Sequence, residues 1–449
     1  MAVPAEINVG LMGLGVVGGG VAAALLERPD ALSRKIGRPV NLKKALVKDP
    51  VKPRSPNLSP GLLTTNPEEI LADPDIHILV EVIGGSQPAA GYLKQALSAG
   101  KQVVTANKEV MAKHGPELLS LARRNGVNLL FEASVGGGIP IVGCLMDELA
   151  ANDVRSIHGI INGTTNYILT RMAYHRTSFH QALEEAQQQG YAEADPTNDI
   201  EGIDAGYKLA ILASLAFSQW LGPEDVYRQG ISRLEPQDFR YAQELGYAIK
   251  PLAIATVDDG AVQARVYPAL IPLDHMLAKV DGVYNAVEVE GSLCGKVLFH
   301  GMGAGREPTT SAVVGDIIEA ARRLVLQPDP PAPGPLPAED DSGPRHPSEE
   351  EEGVGTGSIK SIDDLTSRYY LRLNVADRPG VLAQIARILG DGQISIASVL
   401  QKDTNQAEQT AEIVITTHPA REASVQVSLR AMADLEVVRE VNNLLRIEE

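Results

Sequence analysis

The sequence predicts an α/β chain in three folded parts: a doubly wound parallel sheet, an α+β mixed sheet, and a small βαββαβ unit at the end. Three observations carry this. Apolar strand-like runs alternate with helical patterns from residue 6 to about 133, behind a glycine-rich turn at 13–18. Strand-like segments separated by turns then fill residues 225–299. After residue 367 the runs follow the order strand, helix, strand, strand, helix, strand.

The 449 residues suffice for two or three domains with proper cores, and 44% apolar content is that of a globular protein. A net charge of −17 argues against nucleic acid or an anionic membrane as partner. Cys144 and Cys294 are too few for a disulfide framework. No apolar run approaches the ~20 residues of a membrane helix, and no basic region precedes the first apolar stretch. A cytoplasmic setting is expected.

Residues 6–12 read as a buried strand, followed by Gly13-Leu14-Gly15-Val16-Val17-Gly18 and a helical pattern to about Glu27. The glycines allow a tight turn and bring backbone N–H groups to a pyrophosphate at the helix N-terminus. A bare glycine motif could serve packing alone; the strand–turn–helix context favours a Rossmann-type dinucleotide-binding unit. The second strand, 40–47, is followed by Lys48, Asp49, Lys52 and Arg54. Three cations beside one acid favour a 2′-phosphate, hence NADP, with NAD possible; they also fit a solvated loop.

Further strands are expected at 76–83, 101–105 and 128–133, with a helix at 88–99. Lys108, just past the end of the 101–105 strand, faces the crevice where ligands bind unless it is a surface lysine. The loop SVGGGIPIV can turn several carbonyls inward, and Glu132 adds a carboxylate beside them, which suits a hard cation. Conformational permissiveness alone would also explain the glycines.

From 154 the pattern reads strand, turn, helix, then the amphipathic helix SFHQALEEAQQQ stopped by Gly190. Segments 225–234, 249–257, 261–270, 281–289 and 295–299 read as strands, and 300–310 as a second glycine-rich loop. The helix 311–326 is expected to return to the first unit. Residues 328–360 carry eight prolines, eight acidic residues and two basic ones, which predicts a disordered, semi-extended linker. Strands at 368–376, 394–402 and 410–417, helices at 379–390 and 419–433, and a last strand or tail make a ferredoxin-like unit.

The densest chemistry lies in GYAEADPTNDIEGIDAGYK, residues 190–208. A helical reading puts Asp204 and Lys208 about 40° apart around the axis, beside an apolar stripe of Ile203, Tyr207, Ala210 and Ile211. On spacing alone this could be a solvated helix with an ordinary acid–base pair.

GLGVVG, TANKE at 105–109, FEASVGGGIP at 131–140, INGTTNYIL at 161–169, the 190–208 stretch and GAGREPTTSAVVGD at 303–316 together resemble homoserine dehydrogenase over about residues 5–326. Asp377-Arg378-Pro379-Gly380 followed by VLAQIA resembles an ACT domain, which in this family accompanies amino-acid feedback. The resemblance implies reversible NAD(P)H-dependent reduction of L-aspartate 4-semialdehyde to L-homoserine, in threonine, methionine and isoleucine biosynthesis. It implies that Gly13, Gly15, Val16, Val17 and Gly18 hold the cofactor phosphates and that Thr105, Lys108, Gly190 and Gly305 line the nicotinamide–substrate junction; the cationic loop adds Lys48 as a cofactor contact. Glu193 and Asp204, with Asp199 nearby, match substrate-binding carboxylates; Lys208 matches the proton donor and Lys108 the second active-site lysine. Glu132, Val135, Gly137 and Ile139 match a sodium site, three of them through backbone carbonyls.

The implied domains are 1–135 with 300–327 for NAD(P), 136–299 for substrate and dimerisation, a linker at 328–366 and an ACT regulatory domain at 367–449. The long acidic linker predicts that the catalytic and ACT parts move independently. L-threonine is the expected effector. A homodimer or homotetramer is expected, through the mixed sheet and an ACT self-pairing surface. Two rival readings remain. An aspartate-semialdehyde-type enzyme would need a catalytic cysteine, and neither Cys144 nor Cys294 has an evident His partner. A non-catalytic amino-acid sensor would have lost lysines or glycines that are all present.

Overall fold

The computed structural model describes residues 4–54, 56–326, 358–405 and 407–449, so most of the expected linker lies outside the described residues. The described parts of Met1–Ile157, Tyr207–Asp225 and Ala286–Gly357 form one compact unit, and His158–Gly206, Val226–Asn285 and Ser358–Glu449 form a second.

The first unit contains a six-stranded parallel sheet. In spatial order its strands are Leu63–Thr64, Val40–Leu46, Ile7–Met12, Ile78–Glu81, Gln102–Thr105 and Leu129–Leu130. This is the doubly wound order, with its switch point where Met12 pairs with Glu81. Ile7, Val9 and Leu11 alternate with partners on both faces and are fully buried, as expected of a central parallel strand. The turn into the helix Val16–Glu27 needs its glycines. Gly13 has φ +100°, and a Cβ on Gly18 would collide with the Gly13 carbonyl oxygen. The C-terminal helix of this unit, Arg306–Leu326, starts earlier than the 311 expected and packs Val313, Ile317 and Ala320 into the same core as Val21 and Leu25. The 128–133 strand is cut to two residues because Glu132–Ser134 already turns as a 3₁₀ helix.

The second unit is built on the hairpin Tyr247–Asp258 and Ala261–Pro272, twelve residues paired in register across the Asp259-Gly260 turn. Of the expected 225–234 strand only Val226–Arg228 pairs, parallel to the hairpin. The chain leaves the sheet at Gly230, which packs on the Glu201 carboxylate so closely that a Cβ would lie 2.5 Å from it. A helix not expected from the sequence, Pro236–Glu244, follows.

The C-terminal part has the expected βαββαβ order: Thr366–Ala376, Val381–Asp391, Ile396–Asn405, Thr410–Thr417, Glu422–Ala433 and Val438–Ile447. It is not a separately moving body. Its last strand pairs in parallel with the hairpin, Ala269 to Arg446 and Leu270 to Ile447, so one sheet runs through both parts. The strand RYYLRLNVA shows why. Tyr369, Leu371 and Leu373 face the unit's own two helices. Tyr370 faces the other way, into a core shared with Ile249, Phe239 and Leu270. Arg372 lies on that second face, 1% exposed. Its guanidinium donates to Asp238 at 2.7 Å, Glu412 at 2.9 Å and Glu235 at 2.7 Å. Asp238 also accepts from Tyr370 at 3.1 Å and Asn443 at 2.8 Å. A second buried pair, Arg446 and Glu422, is 2.5 Å apart.

The end of the expected linker is ordered as well. Val262 N donates to Ser358 O at 2.9 Å and Lys360 N to Val262 O at 2.8 Å, which lays 358–360 along the hairpin. Within the second unit, the independent motion expected from the linker's length is therefore replaced by a shared sheet and buried ion pairs.

Candidate active site

In the first unit a cleft of about 1000 Å³ opens at the switch point. Gly13, Gly15, Val16 and Lys48 line it, joined by Arg54 and Arg306. Val16, at the free N-terminus of its helix, is 70% exposed. Val17 and Gly18 do not line the cleft; Val17 packs against the core and Gly18 against the turn, so their part is to shape the turn. Arg54 braces the cationic loop by donating to the carbonyls of Lys52 at 2.8 Å and Asp49 at 2.5 Å. Arg306, missed from the sequence, follows Gly305, whose φ of +117° ends the second glycine-rich loop.

Glu81 was also missed. Its carboxylate ends the strand Ile78–Glu81 with no exposure. It accepts from Ile83 N at 2.7 Å, Gly84 N at 3.4 Å, Thr105 Oγ1 at 2.7 Å and Asn107 Nδ2 at 3.4 Å. One buried anion thus pins the loops that leave two neighbouring strands at the mouth of the cleft. An acid inside the apolar run IHILVEVI was the available signal. Thr105, expected to line the junction, is fully buried, and its hydroxyl serves Glu81 and the N–H of Asn107. Lys108 is half-buried as the first residue of the helix Lys108–Arg124, behind the Asn107 N-cap.

The glycine loop differs from expectation in one respect. The Glu132 carboxylate is not turned to a cation. It accepts from the N–H groups of Ile141 at 2.7 Å, Val142 at 2.9 Å and Gly143 at 2.7 Å. Three converging N–H donors bind an anion, so the side chain is committed to the loop that follows. The Glu132 N–H donates to Asp316 at 3.0 Å. Burial, with the Glu132 charge behind it, pushes the Asp316 carboxyl up to about 8. Val135 is buried and extended, Gly136 and Gly137 are left-handed at φ +74° and +56°, and Ile139 is buried. Gly138 N donates to Met302 O at 3.1 Å, joining the two glycine-rich loops. Among the described residues no three His, Cys, Asp or Glu side chains gather as metal ligands. Burial, then the charges of Glu148 and Glu132, push the Cys144 thiol up, the opposite of what an activated nucleophile needs.

In the second unit the helix Gly163–His175 is capped by Asn162, 6% exposed. Asn162 Oδ1 accepts from Thr165 N at 2.8 Å and Thr165 Oγ1 at 3.0 Å. Its Nδ2 donates to Asp199 at 2.7 Å and to Asp204 at 2.9 Å. The structure thus brings together two of the expected substrate carboxylates. Asp204 is 5% exposed, in the first turn of the helix Ile203–Phe217. Glu193 is not held with them. Its carboxylate is on an exposed residue, and its backbone carbonyl accepts from Gln187 at 3.0 Å. Gly190, φ +75°, ends the preceding helix as expected. Lys208 follows Asp204 by one turn of the same helix and is 9% exposed. No helix of the described residues is long and apolar enough to cross a membrane.

Comparison with known proteins covers both units. A family model described as homoserine dehydrogenase matches residues 140–318, one described as homoserine dehydrogenase, NAD binding domain matches 13–132, and one described as ACT domain matches 369–437. The homoserine dehydrogenase of Synechocystis is 42% identical over 445 residues, 98% of this chain and 99% of that one. That of Bacillus subtilis is 39% identical over 442 residues, 98% of each. The crystal structure of a homoserine dehydrogenase from Thiobacillus denitrificans superposes with a TM-score of 0.88 at 41% identity, over 99% of this chain and 98% of that one. A hyperthermophilic archaeal homoserine dehydrogenase in complex with NADPH matches at TM-score 0.59 and 28% identity, over 73% of this chain and 100% of that one.

Proposed function

The chain belongs to the homoserine dehydrogenase family, and from that premise we propose that it interconverts L-aspartate 4-semialdehyde and L-homoserine with NADP(H), in the biosynthesis of threonine, methionine and isoleucine. The observation that carries the substrate assignment is the pairing of half-buried Asp199 and buried Asp204 on one amide, which offers two carboxylates to an amino-acid ammonium. Glu193 adds a third, exposed carboxylate to the same stretch.

The nicotinamide, when bound, supplies or accepts the hydride. Lys208 donates a proton to the aldehyde oxygen as reduction places charge there, and takes it back from the hydroxyl in the reverse direction. Lys108 stabilises the same oxygen as a fixed cation. Glu81 keeps the loops beside the cleft in place, so the cofactor meets a preformed cleft mouth. Gly13, Gly15 and the N–H groups opening the Val16–Glu27 helix hold the pyrophosphate, with Val17 and Gly18 shaping the turn. A sodium ion would sit on the backbone carbonyls of Glu132, Val135, Gly137 and Ile139, a set of hard oxygen donors that leaves the Glu132 carboxylate on its three N–H groups. The successive left-handed glycines support this by reversing carbonyl direction within the loop.

NADP is the preferred cofactor on this reading. Lys48, Lys52, Arg54 and Arg306 line the cleft against the single acid Asp49. Lys48→Ala is expected to raise KM for NADPH about 10-fold or more, the loss of one charge-assisted contact to a phosphate, and to leave KM for NADH nearly unchanged. Parallel initial-rate series with the two cofactors check this; equal shifts in both would remove the 2′-phosphate from the account. L-threonine is the expected effector at the ACT domain, the assembly a homodimer or homotetramer, and the setting cytoplasmic. Threonine titration of the initial rate and sedimentation test the first two.

A further inference from the structure

Asn162 is a helix cap, and a cap could be its whole role. The hydrogen bonds point further. A cap needs only the side-chain oxygen, which Thr165 fully occupies through its N–H and its hydroxyl. The amide nitrogen is spent elsewhere: one hydrogen to Asp199 Oδ1 at 2.7 Å, the other to Asp204 Oδ2 at 2.9 Å. These two acids are 37 and 42 residues away in sequence and start separate helices, Thr197–Ile200 and Ile203–Phe217. Two carboxylates in reach of one nitrogen repel each other unless a donor stands between them. Asn162 is that donor, and its own position is fixed by the helix it caps.

We propose that Asn162 is a positioning residue for the substrate ammonium: it sets the spacing and direction of the Asp199 and Asp204 carboxylates. This rests on the substrate reading above. It assigns to the amide group what neither a hydroxyl nor a carboxylate can supply, two donors with an acceptor opposite.

Two variants separate capping from positioning. Asn162→Asp and Asn162→Ser both cap helices about as well as asparagine. Neither can donate to two carboxylates, and aspartate adds a third negative charge. KM and kcat for L-homoserine and for NADP are measured in the full-length protein, with NADPH binding followed by nucleotide fluorescence as the folding control. The expected result is a rise in homoserine KM of at least about tenfold in N162S and more in N162D, with KM for NADP and NADPH binding within about twofold of the unaltered protein. A cap alone would leave homoserine KM unchanged in both variants, and that result overturns the proposal. If N162D fails to bind NADPH, N162S decides, since it carries no added charge. Unaltered protein that oxidises no homoserine would overturn the functional reading and this inference together; active protein with unmoved variants would overturn the inference alone.

Discussion

Lys208→Ala is expected to lower kcat for homoserine oxidation by about 10²–10⁴-fold, the range of a positioned general acid–base. Lys208 is 9% exposed on the helix Ile203–Phe217, and ammonium groups are seldom buried to that degree without a function or a fixed counter-charge. Asp204, one turn earlier on the same helix, is buried to the same degree. Reduction of an aldehyde builds charge on one oxygen and needs one proton there, and a lysine provides both. Lys208→Arg should lose nearly as much, because arginine keeps the charge but does not release its proton at neutral pH. NADPH binding should survive both changes, since the cleft-lining residues are unaltered. Single-turnover absorbance at the nicotinamide band separates the chemical step from binding. A Lys208→Ala protein with turnover within about threefold of the unaltered one would remove Lys208 from the mechanism.

The second large effect is structural. Arg372→Met is expected to destabilise the second unit by about 3–5 kcal/mol, because it leaves the Asp238 carboxylate buried without its cation. Asp238 has no exposure and Arg372 has 1%. Burial opposes the charge on Arg372, but Asp238 and Glu235 outweigh it and push the guanidinium further up. For a unit of this size the loss corresponds to a fall in melting midpoint of roughly 6–20 °C. The exposed pair Lys94–Glu117 provides the contrast, since Lys94→Ala should change stability by less than about 1 kcal/mol. Differential scanning calorimetry of the three proteins checks both. The measurement also bears on regulation. If the C-terminal part swung freely on its linker, Arg372 would be solvated and its loss nearly silent. A large effect means that an effector bound to the ACT domain acts on a part already locked into the substrate-unit sheet.

Much of this was legible in the sequence, because period and glycine placement report local structure directly. The glycine turn into the Val16–Glu27 helix, the Asp259-Gly260 hairpin and the βαββαβ order all follow from such local signals. The helix Lys108–Arg124 did not, since Gly115-Pro116 in its middle reads as a break. Packing overrides that reading: a Cβ on Gly115 would lie 2.5 Å from the Trp220 ring, so the glycine is there for contact and not to end the helix. Arg372 and Asp238 are 134 residues apart, and no periodicity links them. The same holds for Asn162, whose partners Asp199 and Asp204 lie 37 and 42 residues away. The direction of the Glu132 carboxylate was not legible, because it depends on three N–H groups nine to eleven residues further on.

The proposed reaction is checked by initial-rate oxidation of NADPH with L-aspartate 4-semialdehyde, with the product identified as L-homoserine and NADH run in parallel. Stoichiometric homoserine formation is expected with both cofactors, faster at low concentration with NADPH. No oxidation of either cofactor in the presence of the semialdehyde would contradict it.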